Sequence, residues 1–330
     1  MKKNILFDTS CGSLNMGDYI ICEAVERELD DILKNDFLVK IPTHTPATHF
    51  YQNVKRFALY KYCTEANYKF LAGTNILKYH IFLRPWANFN TNIFNCKPYK
   101  NTILVGAGSD KNSARMDFYA KLLYKTVLSK DYIHSVRDES TKDLLNSLGL
   151  KAINTGCPTM WSLNANHCRQ IPSNKGRNVI FTVTDYRPDP VNDKQMIECL
   201  IRNYEKVYCW IQGAEDYEYL QNIADLDQIK IVGASLNQYR KALMEIDDLD
   251  YVGTRLHAGI FALQNKRRTV VLSVDNRTND IKETYNFNVV DRSDINSLES
   301  MINSSFSTSI NINEENIRQW KSQFIKQNAN

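Results

Sequence analysis

The chain has 330 residues, 43% hydrophobic and 24% charged, with a formal net charge of +4. That length exceeds one ordinary core and suits two domains. The composition is globular, and the charge is too mild for a nucleic-acid binder while still suiting anionic ligands.

The start, Met1-Lys-Lys-Asn-Ile-Leu-Phe-Asp8, meets an acid after three apolar residues and does not read as a signal peptide. No apolar run reaches the roughly 18 residues of a membrane span. A cytoplasmic location is expected. The eight cysteines are scattered with no CxxC pair, which predicts reduced thiols rather than a disulfide frame or a zinc site. No metal and no cofactor is expected.

Asn4 to Asp8 is a predicted strand. A polar loop follows with Asn15, Gly17 and Asp18, and then apolar residues at helical spacing from Tyr19 to Leu33. Strand, glycine-containing loop and helix open a nucleotide-like βα unit, but the loop is neither G-x-G-x-x-G nor a P-loop. Asp18 falls where a helix cap or first-turn acid belongs, so capping and a ligand role are both open. Asn15 and Gly17 offer a polar group and bare backbone to a ligand.

Residues 50–100 set Lys55, Arg56, Lys61, Lys69, Lys78, Arg84, Lys97 and Lys100 against one acid, Glu65, among thirteen aromatics. Two readings are open. One is a helical hairpin with a buried aromatic face and a solvated basic face. The other is a surface for sugar rings or an anionic membrane. Within the window, Tyr68 to Asn75 is a strand that ends in a small polar turn bearing Thr74 and Asn75.

Thr102 to Asp110 repeats that pattern, with Gly106 and Gly108 letting backbone approach a ligand or a helix. Residues 116–128 are helical, Tyr132 to Asp138 is a strand, and Glu139 to Leu148 is a helix stopped by Gly149. Ala152 to Pro158 closes this half. Gln170 to Arg177 is polar and rich in breakers, and is the predicted boundary.

The pattern then restarts. Strands are predicted at Asn178–Thr184, Val207–Gln212, Ile229–Val232 and Thr269–Val274, with helices at 192–204, Tyr217–Ala224 and Asn237–Ile246 between them. Alternating β and α elements predict an α/β fold of two doubly wound parallel-sheet domains facing a cleft. The domains expected are residues 1–170 and 171–310. A terminal helix within 311–330 packs back on the body.

The most informative stretch is Tyr251-Val-Gly-Thr-Arg-Leu-His-Ala-Gly-Ile-Phe-Ala-Leu263. It reads as a strand end that switches into an apolar helix, with Thr254, Arg255 and His257 at the switch. Open α/β sheets bind ligands there, where helix amides and dipole favour an anion. Arg255 adds a forked cation, and His257 a proton carrier near neutral pH. The competing reading makes Arg255 a structural cap or ion pair and His257 a satisfied core residue.

Four places together resemble the polysaccharide pyruvyl transferase family. They are Asn15-Met-Gly-Asp18; the small-residue loops Ala72-Gly-Thr-Asn75 and Gly106-Ala-Gly108; Ser135-Val-Arg-Asp-Glu-Ser140 with Leu148-Gly149 and Gly156-Cys-Pro158; and Thr254-Arg-Leu-His257 with Ile260, Ala262 and Leu263. Their order and rough spacing hold over almost the whole chain. The resemblance implies a GT-B-like pair of Rossmann-like domains. It also implies transfer of the enolpyruvyl carbons of phosphoenolpyruvate onto two hydroxyls of a sugar, giving a pyruvate ketal.

By that resemblance Arg255 and His257 are donor-site residues. Thr254, Arg187 and Arg277 are further donor-binding candidates, and His257, Arg255 and Asp18 are the catalytic ones. Asn15, Gly17, Asp18, Thr74, Asn75, Gly106 and Gly108 are candidates for the acceptor, a glycan or lipid-linked glycan. Contact with the inner membrane surface through residues 50–100 is a further expectation. The chain departs from the family pattern at Asn265-Lys-Arg-Arg268 in place of Gly-x-Pro, at Arg277 in place of a lysine, and at Cys157-Pro158 in place of Asp-Pro. A GT-B glycosyltransferase with a nucleotide-sugar donor is the alternative, for which Asp216 and the loop 275–280 are the relevant features. A non-catalytic carbohydrate-binding protein is a third reading.

Overall fold

Strand β1 (Lys3–Asp8) has every residue after Lys3 buried, as expected of a parallel strand covered on both faces. The computed structural model that contains it describes residues 1–55, 58–82, 89–110, 115–274, 282 and 284–325. Arg277 and the loop 275–280 lie outside the described residues, as do Arg56, Arg84 and Trp86 of the basic aromatic window. The chain divides into two compact units. One comprises Met1–Ser13, Ile21–Trp161 and Asn313–Asn330, and the other Leu14–Ile20 and Ser162–Ile312. Contacts therefore group residues 14–20 with the second unit, and the change of unit at residue 162 precedes the polar stretch from Gln170 to Arg177.

In the first unit β1 pairs in parallel with β2 (Phe37–Pro42) and with β3 (Tyr68–Ala72). β3 in turn pairs with β5 (Thr102–Val105), so the sheet order is β2-β1-β3-β5. Two short parallel pairs extend it: β4 (Asn75–Leu77) with β6 (Gly108–Ser109), and β7 (His134–Val136) with β8 (Ala152–Asn154). His134 joins β7 to the main sheet by its side chain. Its Nδ1 accepts from the Leu104 amide at 3.1 Å, which leaves Nε2 to donate to the Ser129 carbonyl at 2.9 Å. Burial pushes its pKa down to about 4. This is a neutral structural histidine.

Residues 50–65 form two short helices, Phe50–Lys55 and Ala58–Glu65, and the window then runs into β3 and β4. The helical-hairpin reading is thus corrected for everything after Glu65. Tyr68, Phe70, Phe89 and Tyr99 are core residues, while Tyr51, Phe82 and Phe94 are exposed. Alternating strand and loop buries some rings and leaves others outside, which a hairpin with one aromatic face would not do.

The terminal helix Glu314–Ile325 packs on this first sheet. Phe324 meets Phe70 and Tyr68 edge-on, with centroids 5.3 and 5.4 Å apart. Trp320 Nε1 donates to the Ile133 carbonyl at 2.8 Å. Such aromatic edges add about 0.5–1.5 kcal/mol each beyond their buried area.

The second unit is built on β9 (Asn178–Thr182), β10 (Lys206–Trp210), β11 (Ile229–Val232), β12 (Leu249–Gly253), β13 (Thr269–Ser273) and β14 (Val289–Asp291). All pairings are parallel, and the order is β11-β10-β9-β12-β13-β14. Counted from its own first strand that is 3-2-1-4-5-6, the doubly wound Rossmann order. The sequence reading assigns no element to 281–310, where β14 and the helix Ile295–Asn303 lie. A three-residue strand carries too little pattern to stand out.

Arg268, which sequence reading noted only as a departure, is 1% exposed. It pairs with Asp250 at 2.7 Å, donates to the carbonyls of Met301, Ile302 and Ser304, and lies over Phe306. It ties the helix Ile295–Asn303 to β12 and β13.

Candidate active site

The order of the second sheet reverses between β9 and β12, which pair with Gly253 opposite Thr182. Just beyond their carboxyl ends the two strands diverge into separate loops, and that crevice is where open α/β sheets take ligands. Thr254 and Arg255 leave β12 here, and the helix Leu256–Gln264 follows at once. Arg255 occupies its N-cap position with extended backbone.

The turn is locked by a closed ring of hydrogen bonds. The Arg255 amide donates to Thr182 Oγ1 at 3.3 Å, Thr182 Oγ1 and Tyr251 Oη share a 2.7 Å bond, and Tyr251 Oη donates to the Arg255 carbonyl at 2.8 Å. The Thr254 hydroxyl is shared with Thr184 at 2.7 Å. Thr254 therefore holds the exits of β9 and β12 together.

The guanidinium of Arg255 is 3% exposed. Its Nε donates to the Val183 carbonyl at 3.0 Å, and Nη2 bonds both Asp185, at 2.7 Å, and Asp216. The exposed ring of Tyr186 lies 4.9 Å from it. Asp216 is fully buried, and its carboxylate also accepts from the amides of Gly213, at 2.7 Å, and Asp185, at 3.1 Å. Burial raises the Asp216 carboxyl, while Arg255 and the two amides oppose that rise. Burial alone would discharge Arg255, but Asp216 holds it charged, above its ordinary range. A Cβ on Gly213 would sit 2.4 Å from Nη2, so glycine is required for the guanidinium to pass.

Arg255 is thus not a bare cation facing solvent. It is the hub that joins the exit loops of β9, β10 and β12. Sequence reading found Arg255 but not this partnership. Asp185 and Asp216 lie 70 and 39 positions away in sequence, and only their placement at strand ends could have hinted at it.

His257 is the second residue of the helix Leu256–Gln264 and is half-buried. It is not the fully enclosed core histidine that His134 is. Arg187 is exposed on the β9 exit loop. Its carbonyl accepts from Arg292 Nη1 at 2.7 Å, and Arg292 is itself paired with the buried Asp193. That arrangement fixes the loop while leaving the Arg187 side chain outside.

The loop candidates Asn15, Gly17 and Asp18 group with this unit, not with Thr74, Asn75, Gly106 and Gly108. Asn15 bridges to Gly213, and its Oδ1 accepts from Gln212 Nε2 at 2.8 Å and from the Gly17 amide at 3.0 Å. Gly17 is buried at the start of the helix Met16–Leu33, and Asp18 is half-buried in its first turn. The loop thus rests on the same β10 exit that carries Asp216.

In the first unit, Thr74 is buried and its hydroxyl has no hydrogen-bond partner. Asn75 accepts from Arg137 Nη2, and a Cβ on Gly108 would meet Arg137 Nε at 2.3 Å. Gly106 has φ +63°, and a Cβ there would overlap Pro158. Neither position leaves room for a side chain. Arg137, half-buried beside Asn75, is a polar group that sequence reading did not single out. Among the described residues no group of three His, Cys, Asp or Glu side chains is placed to hold a metal ion, and no helix is long and apolar enough to cross a membrane.

Two solved structures are similar over the whole chain. UDP-GlcNAc 2-epimerase from Neisseria meningitidis, bound to UDP-GlcNAc, has a TM-score of 0.51 at 10% identity, covering 99% of this chain and all (100%) of its own. A second UDP-N-acetylglucosamine 2-epimerase has a TM-score of 0.51 at 10% identity, covering 100% of this chain and 96% of its own. At that identity the likeness speaks for the GT-B-like fold of two Rossmann-like units and not for chemistry. No curated protein matches the chain in sequence. Residues 15–276 match the family described as polysaccharide pyruvyl transferase, a span that includes the Asn15 loop, both glycine loops and the Arg255–His257 turn. The chain belongs to the polysaccharide pyruvyl transferase family and is a transferase.

Proposed function

We propose that the enzyme transfers the enolpyruvyl carbons of phosphoenolpyruvate to a sugar of a cell-surface polysaccharide or its lipid-linked precursor, closing a pyruvate ketal across two hydroxyls. The observation that carries this reading is the half-buried His257. It lies in the first turn of an apolar helix, two residues after Arg255, at the switch point of the second sheet.

The donor carries a carboxylate and a phosphate around one enol carbon. His257 protonates the methylene carbon, and the electron pair of the double bond goes to the new C–H bond. The adjacent carbon gains oxocarbenium character, and a sugar hydroxyl attacks it and gives up its proton. The C–O bond to phosphate then breaks, inorganic phosphate leaves, and the second hydroxyl closes the ring as its proton passes to the released phosphate.

First-turn amides of the helix Leu256–Gln264 and the helix dipole suit the phosphate. The exposed Arg187 supplies a cation for the donor, and by sequence position Arg277 is a second candidate. Arg255 orients the three exit loops. Thr254 holds the turn. Asp18 takes the hydroxyl proton, whereas Asp185 is committed to Arg255. Thr74, Asn75, Gly106 and Gly108 are the first unit's own candidates for binding a sugar. Asn15 and Gly17 shape the loop that carries Asp18. No cofactor enters the scheme.

The 3-2-1-4-5-6 order also suits a nucleotide, which makes a nucleotide-sugar donor the second reading. Calorimetric titration separates the two. Phosphoenolpyruvate is expected to bind at micromolar to millimolar concentrations, and UDP-sugars more weakly by at least about tenfold, or 1.4 kcal/mol. Tight UDP-sugar binding with no heat from phosphoenolpyruvate would overturn the assignment.

A further inference from the structure

The helix Phe118–Val127 in the first unit buries Ala120, Leu123, Tyr124 and Val127. At ~100° per residue, its opposite face carries Phe118, Leu122 and Lys125, flanked by Lys121. Phe118 is 80% exposed and Leu122 42%. Solvent does not favour a phenylalanine there, and nothing in the helix itself requires one.

Two further segments pack against the flank of the helix. Tyr119 packs on Phe82, with ring centroids 5.8 Å apart, and its hydroxyl accepts from the Ile93 amide at 3.3 Å. Those contacts bring the segments around Phe82 and Phe94 beside the helix. Phe82 is 61% exposed and Phe94 87%. Four large apolar side chains thus project from three neighbouring segments. Exposed apolar side chains gathered on neighbouring segments mark a docking surface more often than scattered ones.

Lysines outnumber acids around it, although Asp131 shares a hollow with Lys125. Lys97 and Lys125 are exposed, and Lys78 and Lys121 are half-buried. The acids in the described parts of 76–126 are Asp110 and Asp117. Asp110 accepts from the Tyr79 amide at 2.8 Å. Asp117 caps the helix at Ala120 and accepts from the amides of Ile81 and Phe82. Both carboxylates are tied to backbone, and the lysines are left to set the outward field.

We propose that this face docks on a lipid bilayer with anionic headgroups. Phe82, Phe94, Phe118 and Leu122 enter the interfacial zone, and Lys97, Lys121 and Lys125 contact lipid phosphates. Aromatic rings prefer that zone, and lysines near the surface are attracted to anionic lipids. A symmetric contact with a second copy of the chain is disfavoured, because it would set Lys121 and Lys125 against their own counterparts. The proposal is independent of the donor chemistry.

The test is flotation of the full chain with vesicles of phosphatidylcholine alone or with phosphatidylglycerol added, at low and physiological salt. The wild type is expected to float with the anionic vesicles and to remain behind with the neutral ones, and binding should weaken as salt rises. Phe94→Ala with Phe118→Ala, and separately Lys121→Glu with Lys125→Glu, should each lower the bound fraction about tenfold while circular dichroism and melting stay unchanged. These side chains point outward, so folding is expected to be retained. Phe94→Trp provides a second readout, a blue-shifted component quenched by brominated acyl chains. The proposal is overturned if the wild type stays in solution with anionic vesicles, or if it floats but neither pair of changes reduces binding. It is equally overturned if Phe94→Trp is not quenched, or if the alanine pair instead converts a dimer to a monomer.

Discussion

Replacing His257 with glutamine is expected to lower phosphoenolpyruvate-dependent transfer by about 10²–10⁴-fold, the usual contribution of a positioned acid. The effect should fall mainly on kcat, because glutamine keeps a polar side chain in the pocket but cannot protonate carbon. Folding should be retained, since His257 is half-buried and not enclosed by the core. Initial rates with a defined acceptor, compared with the wild type under the same melting profile, check this. Turnover within a few-fold of the wild type would remove His257 from the chemistry.

Asp216→Ala acts on stability first and activity second. Asp216 is fully buried against the 3%-exposed guanidinium of Arg255. Removing it leaves Arg255 paired with Asp185 alone and orphans the Gly213 amide that Asp216 accepts from. Breaking one partner of a buried pair costs about 3–5 kcal/mol. For a unit of this size that lowers the melting temperature by on the order of 10 °C. Replacing both partners together, Arg255→Met with Asp216→Leu, should recover much of that loss, because apolar residues of similar volume often substitute for a buried pair. The double variant should stay inactive, since the exit loops lose their hub. Differential scanning calorimetry of the wild type and the two variants distinguishes these outcomes. A single-variant loss below about 1 kcal/mol would show that the pair is not the hub its geometry implies.

Much of the second unit was legible in the sequence because its strands are short, mostly apolar and punctuated by helices. Asn178–Thr182, Lys206–Trp210, Ile229–Val232 and Thr269–Ser273 lie where periodicity places them, to within a residue or two at the ends. The turn at Thr254–Arg255–His257 was equally legible, since an apolar run that changes period from strand to helix marks its own boundary. What holds that turn was not. Arg255 finds Asp185 and Asp216 through strand order, and strand order is a property of the folded sheet.

The grouping of residues 14–20 with the second unit was hidden for the same reason. It depends on Asn15 meeting Gln212 and Gly213, almost two hundred positions away. In the aromatic window the strand at Tyr68–Ala72 was legible, but the hairpin reading of the window as a whole was not sustained, because lysine and aromatic residues alternate there without a helical period. Lys69 shows the difficulty. It lies in the buried strand β3 and donates to the carbonyls of Pro98 and Lys100. Burial lowers its pKa to about 8. A lysine in a central strand reads as a surface residue until its carbonyl partners are placed.

The central claim is that carbon protonation by an exchangeable acid begins the transfer. The most direct measurement is the mass of the ketal methyl group formed from unlabelled phosphoenolpyruvate in deuterium oxide, with a sugar acceptor and phosphate release followed together. One deuteron per transferred group, a CH₂D ketal formed in step with one phosphate released, is the result expected. A product that carries no pyruvate ketal, or a ketal whose methyl group gains no deuterium, would contradict it.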